Sequence, residues 1–211
     1  MEKKIYTNSL EACIESINNN FNMLEVDVWG IESGEIILGS RLKMQYPISI
    51  DYTIPTLYQL LKLICKDKNK KIILDIKCNT VDDFVRILNE IQKEVIQCEK
   101  NGWNNIKKQI LIETFDEKTS SIASKAGWEC LLTNYRNKDG EWIRKSCLIC
   151  IENNIHTLML DVGVINNHDK YLEYATRKNI NIICYTVDDL SLLSKYKKLG
   201  CKSFLTNYLR V

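Results

Sequence analysis

The chain has little proline, little histidine and almost no net charge. Its 211 residues include 2 Pro and 2 His, and 29 Lys and Arg against 27 Asp and Glu leave a formal charge of +2. A near-neutral chain has no basic footprint, so nucleic acid is not an expected partner. No apolar run reaches the ~18 residues that a membrane span requires, and the first residues, MEKKIYTNSLEA, hold no apolar signal core. A cytoplasmic location is therefore the expectation. No stretch rich in Gly, Pro or Ser divides the chain, and it has no low-complexity tract or strong repeat, so the simplest organisation is one domain over 1–211. Neither a G-x-G-x-x-G loop nor a Walker A loop is present, which weighs against a dinucleotide-binding sheet.

What remains is the composition of an ordinary globular protein, 45% hydrophobic and 27% charged. A domain of this size buries roughly 70% of its unfolded surface, enough to dispense with disulfides. The nine cysteines are odd in number and irregularly spaced through apolar segments, as expected of reduced thiols in a reducing compartment. Cys147 and Cys150 form a C-x-x-C, but in a helical stretch with no second pair and no completing histidine; they read as small core residues.

Seven apolar runs of strand length alternate with segments of helical period, the mark of a parallel α/β fold. The runs are NMLEVDVW (22–29), KIILDIK (71–77), QILIET (109–114), ECLLT (129–133), HTLMLDV (156–162), INIICYTV (180–187) and CKSFLT (201–206). Helices are expected at about 8–20, 56–66, 80–98, 117–126, 141–153, 167–178 and 188–197. Asn8 with Glu11, Thr80 with Asp83, and Asp116 with Thr119 are candidate helix starts, and Pro55 precedes the second helix. The acids Glu25, Asp27, Asp75, Glu113, Asp161, Asp188 and Asp189 fall at or near C-terminal strand ends, where barrels of the (β/α) TIM type place their functional groups. That clustering favours a barrel over a doubly wound sheet.

Glu25 and Asp27, at i and i+2 of one strand, project to the same side about 7 Å apart and can converge on a hard cation. Asp75 from a second strand would complete a carboxylate triad. Taken alone, E-x-D is equally the pattern of a solvated strand face.

The order of the segments YTNSLEA (6–12), LEVDV (24–28), SGEIIL (33–38), IPTLYQLL (54–61), ILDIK (73–77), YTVDD (185–189) and GCKSFLTNYL (200–209) resembles the glycerophosphodiester phosphodiesterase family, within the phospholipase C-like phosphodiesterase superfamily. The resemblance implies a TIM-type barrel and metal-assisted cleavage of a glycerophosphodiester or a glycan-linked phosphodiester. It implies Glu25, Asp27 and Asp75 as ligands of Mg²⁺ or Ca²⁺, the third being more often Glu in the family. It also implies Lys77 as the lysine facing the phosphate, and Tyr185 as an aromatic packing on the alcohol part of the substrate. The competing readings are an ion pair with Asp75 or Asp27 for Lys77, and a place on the rim for Tyr185.

The departures are in the acid–base pair. Family members use two histidines, one at the end of the first strand and one after the segment matching SGEIIL. Here Gly39 holds the second position, and the first strand has no counterpart in the chain. Neither His156 nor His168 matches, and His156, at a strand start, belongs at the end opposite the site. Positioned proton transfer contributes about 10²- to 10⁴-fold per group, so weak hydrolysis is one expectation. A catalytically inactive relative that binds a phosphorylated polyol or a protein partner is the other. A barrel without its first strand leaves two edges to cover, whether by rearrangement, by a homodimer, or by residues upstream of the start.

Overall fold

A computed structural model describes residues 10–18, 21–31, 33–39, 54–134, 140–166 and 169–206. The chain gathers into two compact units, Met1–Ile112 and Glu113–Val211.

In the first unit α1 (Leu10–Asn18) leads to β1 (Met23–Gly30) and β2 (Ile36–Leu38), followed by α2 (Leu57–Ile64), β3 (Lys71–Ile76) and α3 (Val81–Lys100). β4 (Ile110–Thr114) begins in this unit, and its strands hydrogen-bond in the order β2-β1-β3-β4. β1 and β3 run parallel and in register, which sets Asp27 directly opposite Asp75. β3 and β4 are buried almost throughout, as their unbroken Ile and Leu runs require. β1 differs: Leu24, Val26 and Val28 are buried, while Glu25 and Asp27 on the other side reach solvent.

Helix starts follow from local chemistry. Thr80 accepts from Asp83 N, and Thr56 forms a full capping box with Gln59. The Asn8–Glu11 start involves a position outside the described residues. Gln109 Nε2 donates to the carbonyls of Ile64, Asp67 and Lys70, and the buried Lys70 Nζ reaches Phe21 O at 2.7 Å. These bonds close the loops at the N-terminal ends of the strands, opposite the acids.

The second unit repeats the βα pattern with α4 (Glu117–Lys125), β5 (Glu129–Asn134), α5 (Gly140–Glu152), β6 (Thr157–Asp161), α6 (Val162–Ile165), α7 (Asp169–Arg177), β7 (Asn181–Tyr185), α8 (Leu193–Lys198) and β8 (Cys201–Phe204). β5 through β8 are neighbours in sequence order and all parallel. Asp116 caps α4, accepting from Thr119 N at 2.8 Å. Cys147 and Cys150 are fully buried on α5, and burial pushes their thiols up to about 11 and about 12. None of the nine cysteines is in a disulfide. No helix among the described residues is long and apolar enough to cross a membrane.

All seven expected strands are present with no end displaced by more than two residues, and β1 and β5 run one residue further than expected, to Gly30 and Asn134. The strand that periodicity missed is β2, whose three residues are too few to show a period. It lies antiparallel on the edge of β1 away from β3, alongside Val28–Gly30, with a further bridge from Ile37 to Thr56. The barrel is incomplete at the first strand as expected: β2 covers only the Val28–Gly30 end of that edge, and among the described residues no strand lies beside Met23–Val26 there.

Candidate metal centre

The in-register pairing of β1 and β3 builds the site. Because side chains alternate along a strand, Glu25 and Asp27 share one side of β1, and Asp75 joins them across the ladder. One oxygen from each of the three lies within 4.8 Å of the others. Oxygens gathered around a hard cation at ~2.0–2.6 Å lie up to about 5 Å apart, so the cluster is compatible with a divalent ion.

Lys77 stands just past β3, and its backbone N–H extends the ladder to Val28 O at 3.0 Å. Its ammonium pairs with Asp27 Oδ1 at 2.9 Å and also bonds Asp75 Oδ2. The ion-pair reading of Lys77 therefore describes the molecule as it stands. Two of the three ammonium donors are engaged, which leaves one for a further acceptor.

Three acids and one lysine make a locally acidic centre. Glu25 is recessed although solvent reaches it, and burial first, then the charges of Asp75 and Asp27, push its carboxyl up to about 7. Burial also raises Asp75 against the opposing pull of Lys77. For Lys77, burial works against the charge, but Asp75 and Asp27 outweigh it and keep the ammonium protonated. Asp75 Oδ1 is buried without a hydrogen-bond partner. An orphaned carboxylate oxygen beside two further carboxylates is an arrangement that a cation completes, and its donors are all oxygens, as Mg²⁺ and Ca²⁺ prefer.

A pH dependence follows from those shifts. A divalent ion requires ionised ligands, so raised carboxyls make its binding release protons. Affinity for Mg²⁺ or Ca²⁺ is expected to rise about tenfold or more from pH 6 to pH 8, with Glu25 titrating near 7. Calorimetric titration at the two pH values checks this, and equal affinities would exclude Glu25 as a ligand.

Gly39 follows β2, and its backbone is fixed at both ends. Its N–H donates to Asp27 O at 3.2 Å, and its carbonyl accepts from Trp29 Nε1 at 2.7 Å. Among the described residues, a Cβ built there would meet nothing within 4 Å. Gly39 itself is buried.

The other acids at strand ends have local uses. Asp161 caps α6 through Gly163 N at 2.7 Å, Asp188 accepts from Thr206 Oγ1, and Asp189 accepts from Ser191 N. Glu113 is fully buried. Tyr185 ends β7 in the second unit, with its hydroxyl buried. His156 is exposed just before β6, and its carbonyl accepts from Asn181 N. His168 lies outside the described residues. A carboxyl that motif reading passed over is Glu94 on α3, a polar residue at a helix position where the period calls for an apolar one.

No family model matches the sequence, and no curated protein sequence does either. Solved structures do match. A glycerophosphodiester phosphodiesterase from Parabacteroides distasonis superposes with a TM-score of 0.73 at 14% identity, over 94% of this chain and 84% of that one. The fold is that of the glycerophosphodiester phosphodiesterases. A second one, from Thermotoga maritima, matches with a TM-score of 0.71 at 18% identity, over 94% and 87% of the two chains. An Oleispira antarctica phosphodiesterase in complex with the product sn-glycerol-3-phosphate matches with a TM-score of 0.66 at 14% identity, over 93% and 85%. A glycerophosphodiester phosphodiesterase fold is an α/β fold of TIM-barrel type, the class read from the alternation of strands and helices.

Proposed function

We propose that the chain is a divergent, weak phosphodiesterase of the glycerophosphodiester type, acting on a small phosphodiester or polyol phosphate. The observation that carries this reading is the convergence of Glu25, Asp27, Asp75 and Lys77 across two adjacent parallel strands, with Lys77 just past the C-terminal end of β3. In this reading Glu25, Asp27 and Asp75 hold Mg²⁺ or Ca²⁺. When bound, the ion supplies Lewis-acid polarisation of a phosphoryl oxygen. Lys77, anchored by Asp27 and Asp75, directs its remaining donor at a second phosphoryl oxygen and offsets charge developing there. The Oleispira antarctica phosphodiesterase of the same fold binds sn-glycerol-3-phosphate, which supports a glycerol phosphate as the ligand class.

Gly39 favours a second reading. It carries no proton-transfer group at the position beside Asp27 where the family has a histidine, so a chain that binds its ligand without turning it over accounts for the same geometry.

The test is hydrolysis of glycerophosphocholine and of a chromogenic phosphodiester with and without Mg²⁺ or Ca²⁺. Turnover is expected to be slow, stimulated by metal, abolished by chelation, and reduced at least tenfold in Lys77→Met. Binding of glycerol phosphate without metal-stimulated turnover would overturn the enzymatic reading and leave the ligand-binding one.

A further inference from the structure

Alternation along β1 sets Glu25, Asp27 and Trp29 on one side of the strand, while Leu24, Val26 and Val28 on the other are buried. Trp29 therefore stands on the side of the acidic cluster, one step nearer the C-terminal end than Asp27. The ladder to β3 continues past the Val28–Ile76 pair, since Lys77 N donates to Val28 O at 3.0 Å. Lys77 is thus the residue beside Trp29 on the neighbouring strand, across a spacing of about 4.8 Å.

The indole leans the other way, toward β2. Its Nε1–H donates to Gly39 O at 2.7 Å. Gly39 N donates in turn to Asp27 O at 3.2 Å, and continuing the β1–β2 register from Val28 and Leu38 also puts Gly39 opposite Asp27. The ring therefore reaches back to the level of Asp27 along the β2 side. From the β3 side, the Lys77 ammonium meets Asp27 Oδ1 at 2.9 Å. Asp27 is flanked by a cation on one side and an indole on the other.

An indole has one polar atom, a donor, and here it is spent on the Gly39 carbonyl. The half-buried ring has only apolar surface left to offer the site. We propose that Trp29 is a substrate-binding residue, the apolar wall against which one ester group of a phosphodiester lies while Lys77 holds its phosphate. This rests on reading the cluster as a metal and phosphodiester site, and it adds the substrate class: one alcohol of the diester is an aryl or alkyl group. A phosphoryl oxygen on the remaining donor of Lys77 lies close to Asp27, so an ester group turned toward β2 meets the indole. An apolar group gains a ring contact there, whereas a hydroxyl aimed at that flank finds no partner on the ring.

Isothermal titration of the Ca²⁺-loaded chain tests the wall with two diesters of equal charge, methyl phenyl phosphate and dimethyl phosphate. The phenyl diester is expected to bind about tenfold more tightly, and that preference to shrink to about threefold or less in W29A while persisting in W29F, which keeps a ring without the N–H. NMR of the unaltered chain reads the same contact even if W29A does not fold. The Trp29 Nε1–H signal, assigned by its loss in W29F, is expected to shift with the phenyl diester while the signals of Trp103, Trp128 and Trp142 stay. Equal affinity for the two diesters, an undiminished preference in W29A, or a Trp29 signal that does not move at saturation overturns the wall. The two readings fail separately. Binding of Ca²⁺ and of both diesters without a phenyl preference removes the wall and leaves the site, whereas a chain that binds neither diester removes the phosphodiester site and the wall with it.

Discussion

In Asp75→Asn protein, saturating Mg²⁺ or Ca²⁺ leaves the melting temperature where it was, whereas the unaltered chain gains about 5–10 °C. The magnitude follows from mass action: a ligand at one hundred times its Kd stabilises by about 2.7 kcal/mol, and each kcal/mol moves the midpoint of a chain this size by roughly 2–4 °C. Asp75 is chosen because it is the most buried of the three acids, with its side chain 2% exposed, and because its Oδ1 lacks a partner. The substitution keeps the shape and removes the charge, so Lys77 loses one of its two anchors while Asp27 remains at 2.9 Å. Without metal, the variant is expected to be no less stable than the unaltered chain above pH 7, since it relieves repulsion among Glu25, Asp27 and Asp75. Differential scanning fluorimetry with and without each ion is sufficient. An unaltered chain that gains nothing from either ion would end the metal reading outright.

Gly39→His is expected to raise metal-stimulated phosphodiester hydrolysis by about 10²-fold, the lower end of what one positioned acid or base contributes. The backbone at Gly39 is anchored to Asp27 O and to the Trp29 indole, so a new side chain would leave from a fixed point beside the acidic cluster. Among the described residues nothing lies within 4 Å of a Cβ there. The fold is therefore expected to lose less than about 1 kcal/mol by urea denaturation. A well-folded variant with an unchanged rate would show that the missing histidine is not what limits the chemistry, and would favour the ligand-binding reading.

The two outcomes separate the readings. Metal-dependent stabilisation in the unaltered chain with a gain from Gly39→His describes an enzyme slowed by absent proton-transfer groups. Metal-dependent stabilisation without that gain describes a site that binds its ligand and does not turn it over.

Much of this protein was determined by the sequence alone. Alternation of strand-length Ile and Leu runs with helical segments is a local property, and it located seven of the eight described strands within three residues of their ends. The pairing of E-x-D on one strand with D-x-K on another was also legible, because alternation along a strand dictates which side chains share a side.

Other features were decided only by tertiary structure. The three residues of β2 are held by Val28–Gly30 and by Pro55, contacts no periodicity encodes. Lys77 as an ion-pair partner of both Asp27 and Asp75 depends on the register of β1 against β3, which a single sequence does not state. Asp161 and Asp189 looked like site acids by position, yet each serves the backbone two residues on, because a short carboxylate at a strand end finds its own chain first. Glu94 shows the same limit from the other side. Its place in an apolar stripe was visible in the helical period, but that its Oε2 is buried with no hydrogen-bond partner was decided only by the packing around α3.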